Sequence, residues 1–304
     1  MSKNRKHYDP RLVARADVAS RAQHGIARHD VKHQEYPPIT GIGTEVAYRN
    51  SITVFSFWLW DTDRKKLRTA TIDDAKEWLR IRSGSVVQKT LDLDRQALAN
   101  KFRTRLQFVM SEVPTFPVWR PYSAGQIKML IQGTSANLAL SIAICSIAGL
   151  RSMELISICR ASDHEESTRD WVEGRFAGRE SWAVFIVQGK GNLWREVRCP
   201  PAIAEELETH RRSAPVRVRN RERDHWSYYN ITSGQSFCQA FSRLSKKALG
   251  WSHGAHGLRH TFAVSRLFEL RQLGLERIKS LKILAGELGH FSISTTQGYL
   301  GNNG

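Results

Sequence analysis

The chain has 304 residues, 41% of them hydrophobic, enough for two domains or one large one with a proper core and no need of covalent staples. Lysine and arginine total 46 against 29 acidic residues, a formal charge of +17 spread along the sequence, so a polyanion is the expected partner. The four cysteines are scattered without a C-x-x-C pair, which argues against a disulfide framework or a zinc site; no apolar run reaches the roughly 20 residues of a bilayer span and Met1–Lys6 lacks a signal-peptide core, so a cytoplasmic protein is expected.

Residues 1–44 are polar and basic, carry His7, His24, His29 and His33, and end in a Pro37-Pro38 turn region. They read as a weakly ordered arm with some helix around 11–27. Residues 45–113 have helical periodicity. An aromatic cluster (Phe55, Phe57, Trp58, Trp60) precedes the capping signal Thr71-Ile-Asp-Asp74, and a later helix places Leu91, Leu98, Phe102, Leu106 and Val109 on one face. Lys89, Arg95, Lys101, Arg103 and Arg105 lie mostly off that face and suit DNA contact.

Residues 114–121, with three prolines, cannot continue a helix and form a linker. Residues 122–304 then begin with a buried helix over 135–148, which Gly149 stops. Two β-rich runs, 182–188 and 193–199, flank Gly189-Lys190-Gly-Asn and predict a hairpin with Lys190 at its tip. Pro200-Pro201 opens a helix through about Arg212, Arg217 to Arg223 reads as a basic loop, and 236–249 is an amphipathic helix. The expected fold is mainly α with two domains: a helical DNA-binding domain and a mixed α/β, mostly helical domain with a small antiparallel sheet.

Cleaving a phosphodiester needs a nucleophile, an acid for the leaving oxygen and positive donors around the phosphoryl oxygens. No carboxylate cluster stands out for metal ions: Asp73-Asp74 fits helix capping and His164-Glu165-Glu166 a polar loop. The charge therefore falls to Arg151 and Arg259, whose planar forks hold two phosphate oxygens, with Glu154 placed to orient Arg151. His256 and Arg259 share a helix face, whereas His260 points off it and reads as a packed or solvated histidine.

These motifs resemble the tyrosine recombinase (phage integrase) family throughout residues 122–300. Gly149-Leu-Arg151-Ser-Met-Glu154-Leu matches its first arginine motif, Lys190 its hairpin lysine, His256-Gly-Leu-Arg259-His260-Thr-Phe-Ala its second, and Leu288-Gly-His290 through Tyr299 its last. The resemblance implies Arg151, Lys190, His256, Arg259, His290 and Tyr299 as catalytic residues. Tyr299 would form a 3′-phosphotyrosyl bond, His256 act as acid/base, Lys190 protonate the leaving 5′-oxygen and His290 support the phosphate or the tyrosine. Taken alone, Lys190 would be a solvated loop residue and Tyr299 a packing one; the constellation decides otherwise. It further implies site-specific recombination through a Holliday junction without cofactor, metal or ATP. The partners would be double-stranded DNA sites, a dimer on each site, a tetramer in the synapse, and accessory DNA-bending proteins. A type IB topoisomerase or telomere-resolving enzyme, and a non-catalytic DNA-binding regulator, are the competing readings. Two features depart from the family pattern: the long stretch from Arg259 to His290, with an extended segment at 269–284, and the short sequence after Tyr299.

Overall fold

The computed structural model describes residues 8–26, 28–115, 120–220, 223–290 and 292–300, with the side chains of Arg28, His29, Lys190 and Arg223 outside that description. The chain divides into two compact units, Met1–Phe116 and Pro117–Gly304. The division falls inside the proline-rich stretch 114–121, of which residues 116–119 lie outside the described set.

The first unit holds α1 (Pro10–Ala19), the single-turn α2 (Arg28–Val31), α3 (Ile42–Asp63), α4 (Ile72–Ser83) and α5 (Gln88–Phe102). Asp9 caps α1 by accepting from Arg11 N at 2.8 Å, and Thr71 and Asp74 close a reciprocal capping box on α4. Its core joins Ala14 and Val18 of α1, Ile52, Phe55 and Leu59 of α3, Trp78 of α4 and Leu98 of α5.

The described residues 8–26 and 28–44 therefore differ from the expected arm. Ala14 and Val18, four apart on α1, are fully buried, Asp17 pairs with Arg21 and Lys101 at 2.8 Å each, and Tyr8 Oη shares a hydrogen bond with Ser56. A second correction lies in α5, which ends at Phe102 because Arg103 turns left-handed (φ 47°). Leu106 is buried from an extended segment, which Ser111 Oγ pins by donating to Val86 O at 2.7 Å.

The second unit runs α6 (Ala124–Gln132), α7 (Ala136–Ala148), α8 (Glu154–Ser157), β1 (Cys159–Arg160), β2 (Ala183–Gln188), β3 (Trp194–Cys199), α9 (Pro201–Thr209), β4 (Arg211–Asn220), β5 (Arg223–Tyr229), α10 (Gly234–Leu249), α11 (His256–Gln272), α12 (Arg277–Leu288) and α13 (Ile293–Gln297). β1, β2 and β3 form an antiparallel sheet in that order, with Phe185 opposite Val197 and Gln188 opposite Trp194. The predominantly apolar α7 is central, packed with Phe185 and Val187 of β2, Val197 of β3, and Phe237 and Phe241 of α10. A neighbouring cluster joins Phe262, Ala263 and Leu270 of α11 to Leu281, Leu284 and Leu288 of α12 and to Leu300.

Two sequence expectations are revised here. The helix read through Arg212 ends at Thr209, and of the stretch read as a basic loop at 217–223 the described residues, 217–220 and 223, belong to the β4–β5 hairpin, with Arg217 opposite Trp226 and ion-paired to Asp224. Arginines alternating with Val216 and Val218 give the period of a strand, which the charge density had masked. The long stretch between Arg259 and His290 is a helix–turn–helix: α11 continues to Gln272, Gly274 takes φ 79°, and α12 begins at Arg277. Among the described residues no helix is long and apolar enough to cross a membrane.

Candidate active site

Gly149 ends α7 in the left-handed region (φ 66°), and a Cβ there would lie 2.4 Å from the Phe262 ring, so both backbone and space demand glycine. The turn it makes presents Arg151. Glu154 fixes that arginine by accepting from its backbone N–H at 2.8 Å and from Nη1 at 2.7 Å. Glu154 is 1% exposed and also accepts from Arg195 Nη2 at 2.8 Å, with Arg259 Nη1 at 3.7 Å. Burial pushes its pKa up, but Arg195, Arg259 and Arg151 outweigh burial and hold the carboxyl at about 2. One buried carboxylate thus organises three guanidinium groups.

Arg259 is completely buried on the first turn of α11. It donates to Gly149 O, to Leu288 O at 2.5 Å and toward His290 Nε2 at 3.1 Å. These carbonyls are the unpaired acceptors at the ends of α7 and α12, where positive charge is favoured. Burial and the neighbouring arginines Arg151 and Arg195 draw Arg259 down to about 10 against the pull of Glu154, which leaves it charged at neutral pH. Gly257, two residues earlier, has no room for a side chain: a Cβ would lie 2.5 Å from the Tyr122 ring and 2.7 Å from Arg120 O.

His290 follows the left-handed Gly289 that ends α12. Because Arg259 can only donate, His290 Nε2 accepts, so the proton sits on Nδ1 and bonds Thr296 Oγ1 at 2.8 Å. Burial, followed by Arg259, Arg151 and Arg195, lowers its pKa to about 3. The imidazole is neutral under ordinary conditions.

Tyr299 stands just beyond α13, half-buried, with its ring 5.3 Å from His256, 4.6 Å from His260 and 5.2 Å from His290. The Arg259 guanidinium carbon is 5.7 Å from the ring centre. His256 occupies the exposed rim; desolvation on its inner side, with His260, Arg259 and Arg151, lowers its pKa to about 4. Arg151, His256, Arg259, His290 and Tyr299 thus converge, although Arg151 lies well over a hundred residues before the rest. Lys190 lies in the tight turn between β2 and β3, and its side chain is outside the described residues. The base of that turn reaches the site, since a Cβ on Gly189 would be 3.2 Å from Glu154 Oε1 and 3.9 Å from Arg151 Nη1.

No protein-family model and no curated protein matches this chain. Solved structures do match it. XerH site-specific recombinase bound to palindromic difH substrate aligns with a TM-score of 0.56 at 16% identity, over 98% of this chain and 87% of that one. The Tn1549 transposon integrase in complex with circular intermediate DNA gives 0.54 at 17% identity over 94% of each chain. A lambda integrase dimer bound to a COC′ core site gives 0.56 at 17%, over 86% of this chain and 89% of that one. The chain has the tyrosine recombinase fold.

Within this tyrosine recombinase fold, the partners of three side chains of the site escaped sequence reasoning. His260, expected to be packed or solvated, is packed against Tyr299 and its Nδ1 lies 3.1 Å from Tyr299 O. Thr296 holds His290. Arg195 holds Glu154, and a signal for it existed: it shares the buried phase of β3 with Val197 and Cys199, an unusual seat for an unpaired arginine. Among the described residues no group of three His, Cys, Asp or Glu could hold a metal ion.

Proposed function

We propose that this protein is a site-specific DNA recombinase that breaks and rejoins strands through Tyr299. The observation that carries the reading is the meeting of Tyr299 with His256, His290 and Arg259 in one pocket, beside an Arg151 fixed by Glu154. Arg151 and Arg259 hold the non-bridging oxygens of a scissile phosphate and stabilise the charge that develops on them. Tyr299 Oη attacks phosphorus while its proton passes to His256, which is neutral and whose basicity the negative charge of the phosphate raises. The P–O5′ bond breaks, Lys190 gives a proton to the departing 5′-oxygen, and the products are a 3′-phosphotyrosyl bond and a free 5′-hydroxyl. The bond energy is retained, so a 5′-hydroxyl from another strand reverses the step and joins without an external energy source. His290, with its proton on Nδ1, accepts from Arg259 and keeps that guanidinium aimed.

Duplex DNA is the substrate this chemistry and the +17 charge suit. In the unit Met1–Phe116, exposed Lys89, Arg103 and Arg105 support a DNA-binding role, while Arg95 and Lys101 are engaged with Asp92 and Asp17. Lambda integrase has also been seen as a tetramer bound to a Holliday junction, on the same fold (TM-score 0.56, 15% identity, 99% of this chain and 83% of that one), and a dimer on each site with a tetramer in the synapse is the assembly proposed here. Accessory DNA-bending proteins complete the proposed partners, and a nucleoid-associated protein of the cytoplasm is the setting it implies.

The test is a nicked duplex carrying a site selected by the protein from a random duplex pool. Wild type should form a covalent adduct, and Tyr299→Phe should abolish it while still binding the DNA. An adduct that persists in Tyr299→Phe refutes the nucleophile. Binding with no adduct by wild type would mark a regulator, and plasmid relaxation without strand exchange a topoisomerase.

A further inference from the structure

Burial alternates along β3, and Arg195 lies on the apolar side at 1% exposure. A buried guanidinium without partners costs several kcal/mol, so the groups that satisfy it are specific ones. Nη1 donates to Glu287 O at 2.6 Å and Nη2 to Glu154 Oε2 at 2.8 Å, while Nε has no partner among the described residues. The stem lies against Gly289, where a Cβ would come within 2.8 Å of Arg195 Cδ. Three elements therefore meet at one side chain. They are β3, which leaves the Lys190 turn; Glu154, which aims Arg151; and the end of α12, which receives Arg259 at Leu288 O and leads into His290. The turn itself is closed by Gly189 N–H donating to Leu193 O at 2.7 Å, and its other strand is tied by Gln188 N–H to Ser157 Oγ at 2.9 Å.

We propose that Arg195 is a positioning residue for strand cleavage, locking the Lys190 turn in register with the phosphate that Arg151 and Arg259 hold, so that the departing 5′-oxygen is protonated as its bond to phosphorus breaks. The proposal rests on reading the site as a strand-cleaving centre with Lys190 as the acid. Arg195 itself touches no substrate.

An alkoxide leaving group needs an acid, whereas a thiolate, the conjugate base of a thiol with pKa near 8.5, leaves without one. The experiment compares adduct formation on the selected nicked duplex with the same duplex carrying sulfur in place of the bridging 5′-oxygen. Arg195→Lys and Arg195→Gln should form adduct about a hundredfold more slowly than wild type on the oxygen substrate, and within about threefold of it on the sulfur substrate, as should Lys190→Ala. Ser157→Ala, which frees the other strand of the turn and leaves every arginine in place, should show the same sulfur-sensitive defect in weaker form and keeps the test available if the Arg195 variants fold poorly. Equal slowing on both substrates, or no slowing on either, overturns the proposal. A Lys190→Ala defect that sulfur does not relieve overturns it through its acid, and a wild type that makes no adduct on either substrate overturns the strand-cleavage reading beneath it.

Discussion

His260 Nδ1 lies 3.1 Å from the backbone oxygen of Tyr299, so the residue directly after Arg259 holds the main chain of the proposed nucleophile. Leu300, 3% exposed in the cluster built by α11 and α12, anchors the next position. Tyr299 is thereby seated in the site of its own chain through two contacts that bracket it. His260→Ala should slow adduct formation by about tenfold with little change in non-covalent DNA affinity, the mark of a misplaced reactant. A rate equal to wild type in single-turnover cleavage would remove His260 from this role.

Among the described residues, Glu154 is the single carboxylate paired with Arg151, Arg195 and Arg259. Glu154→Gln leaves three neighbouring cations uncompensated in a buried setting and should lower unfolding stability by about 3 kcal/mol. Denaturant titration with and without a short DNA duplex checks this. The duplex should restore part of the loss, because phosphate replaces the missing negative charge.

Acid should destabilise the second unit earlier than its carboxylates alone would dictate. Unfolded histidine titrates near 6.5, while burial and the adjoining arginines hold His290 at about 3, and desolvation, His260 and Arg259 hold His256 at about 4. Between those values and 6.5 the unfolded chain binds more protons than the folded one, so stability is full above about pH 6.5 and falls as the pH drops toward 4. Glu154 adds the same sign lower down, its contribution present above 4.5 and lost toward 2. The melting temperature should fall between pH 7 and 4.5, and His290→Gln should flatten that fall. An unchanged slope in the variant would contradict the assignment.

Gly149→Ala and Gly274→Ala separate backbone strain from crowding. Both sites are left-handed, at φ 66° and 79°, but a Cβ at Gly274 meets nothing within 4 Å whereas one at Gly149 meets Phe262. Gly274→Ala should cost about 1 kcal/mol from backbone conformation alone. Gly149→Ala should cost about 3 kcal/mol, since overpacking adds to it, and should also slow cleavage by displacing Arg151. Equal costs in thermal unfolding would show that Phe262 moves aside freely.

What the residues alone determined is the chemistry and much of the local structure. The apolar run ending at Gly149, the Thr71–Asp74 capping box and the hairpin around Lys190 are short-range patterns, whose geometry follows from turn and helix periodicity. The spacing of His256, Arg259, His290 and Tyr299 is legible for the same reason, since each motif lies within a helix turn or a tight turn. Folding decided the contacts between segments distant in sequence. Arg195 and Glu154, 41 positions apart, meet because α8 packs on β2, the partner strand of β3, and no local pattern encodes that encounter. The same holds for His260 beneath Tyr299, for Ala14 and Val18 sinking into the first unit's core, and for the β4–β5 hairpin, where charge outweighed strand periodicity. Packing completed the site: burial beside arginines keeps His290 neutral, while the arginines around Glu154 overcome its burial and keep it charged.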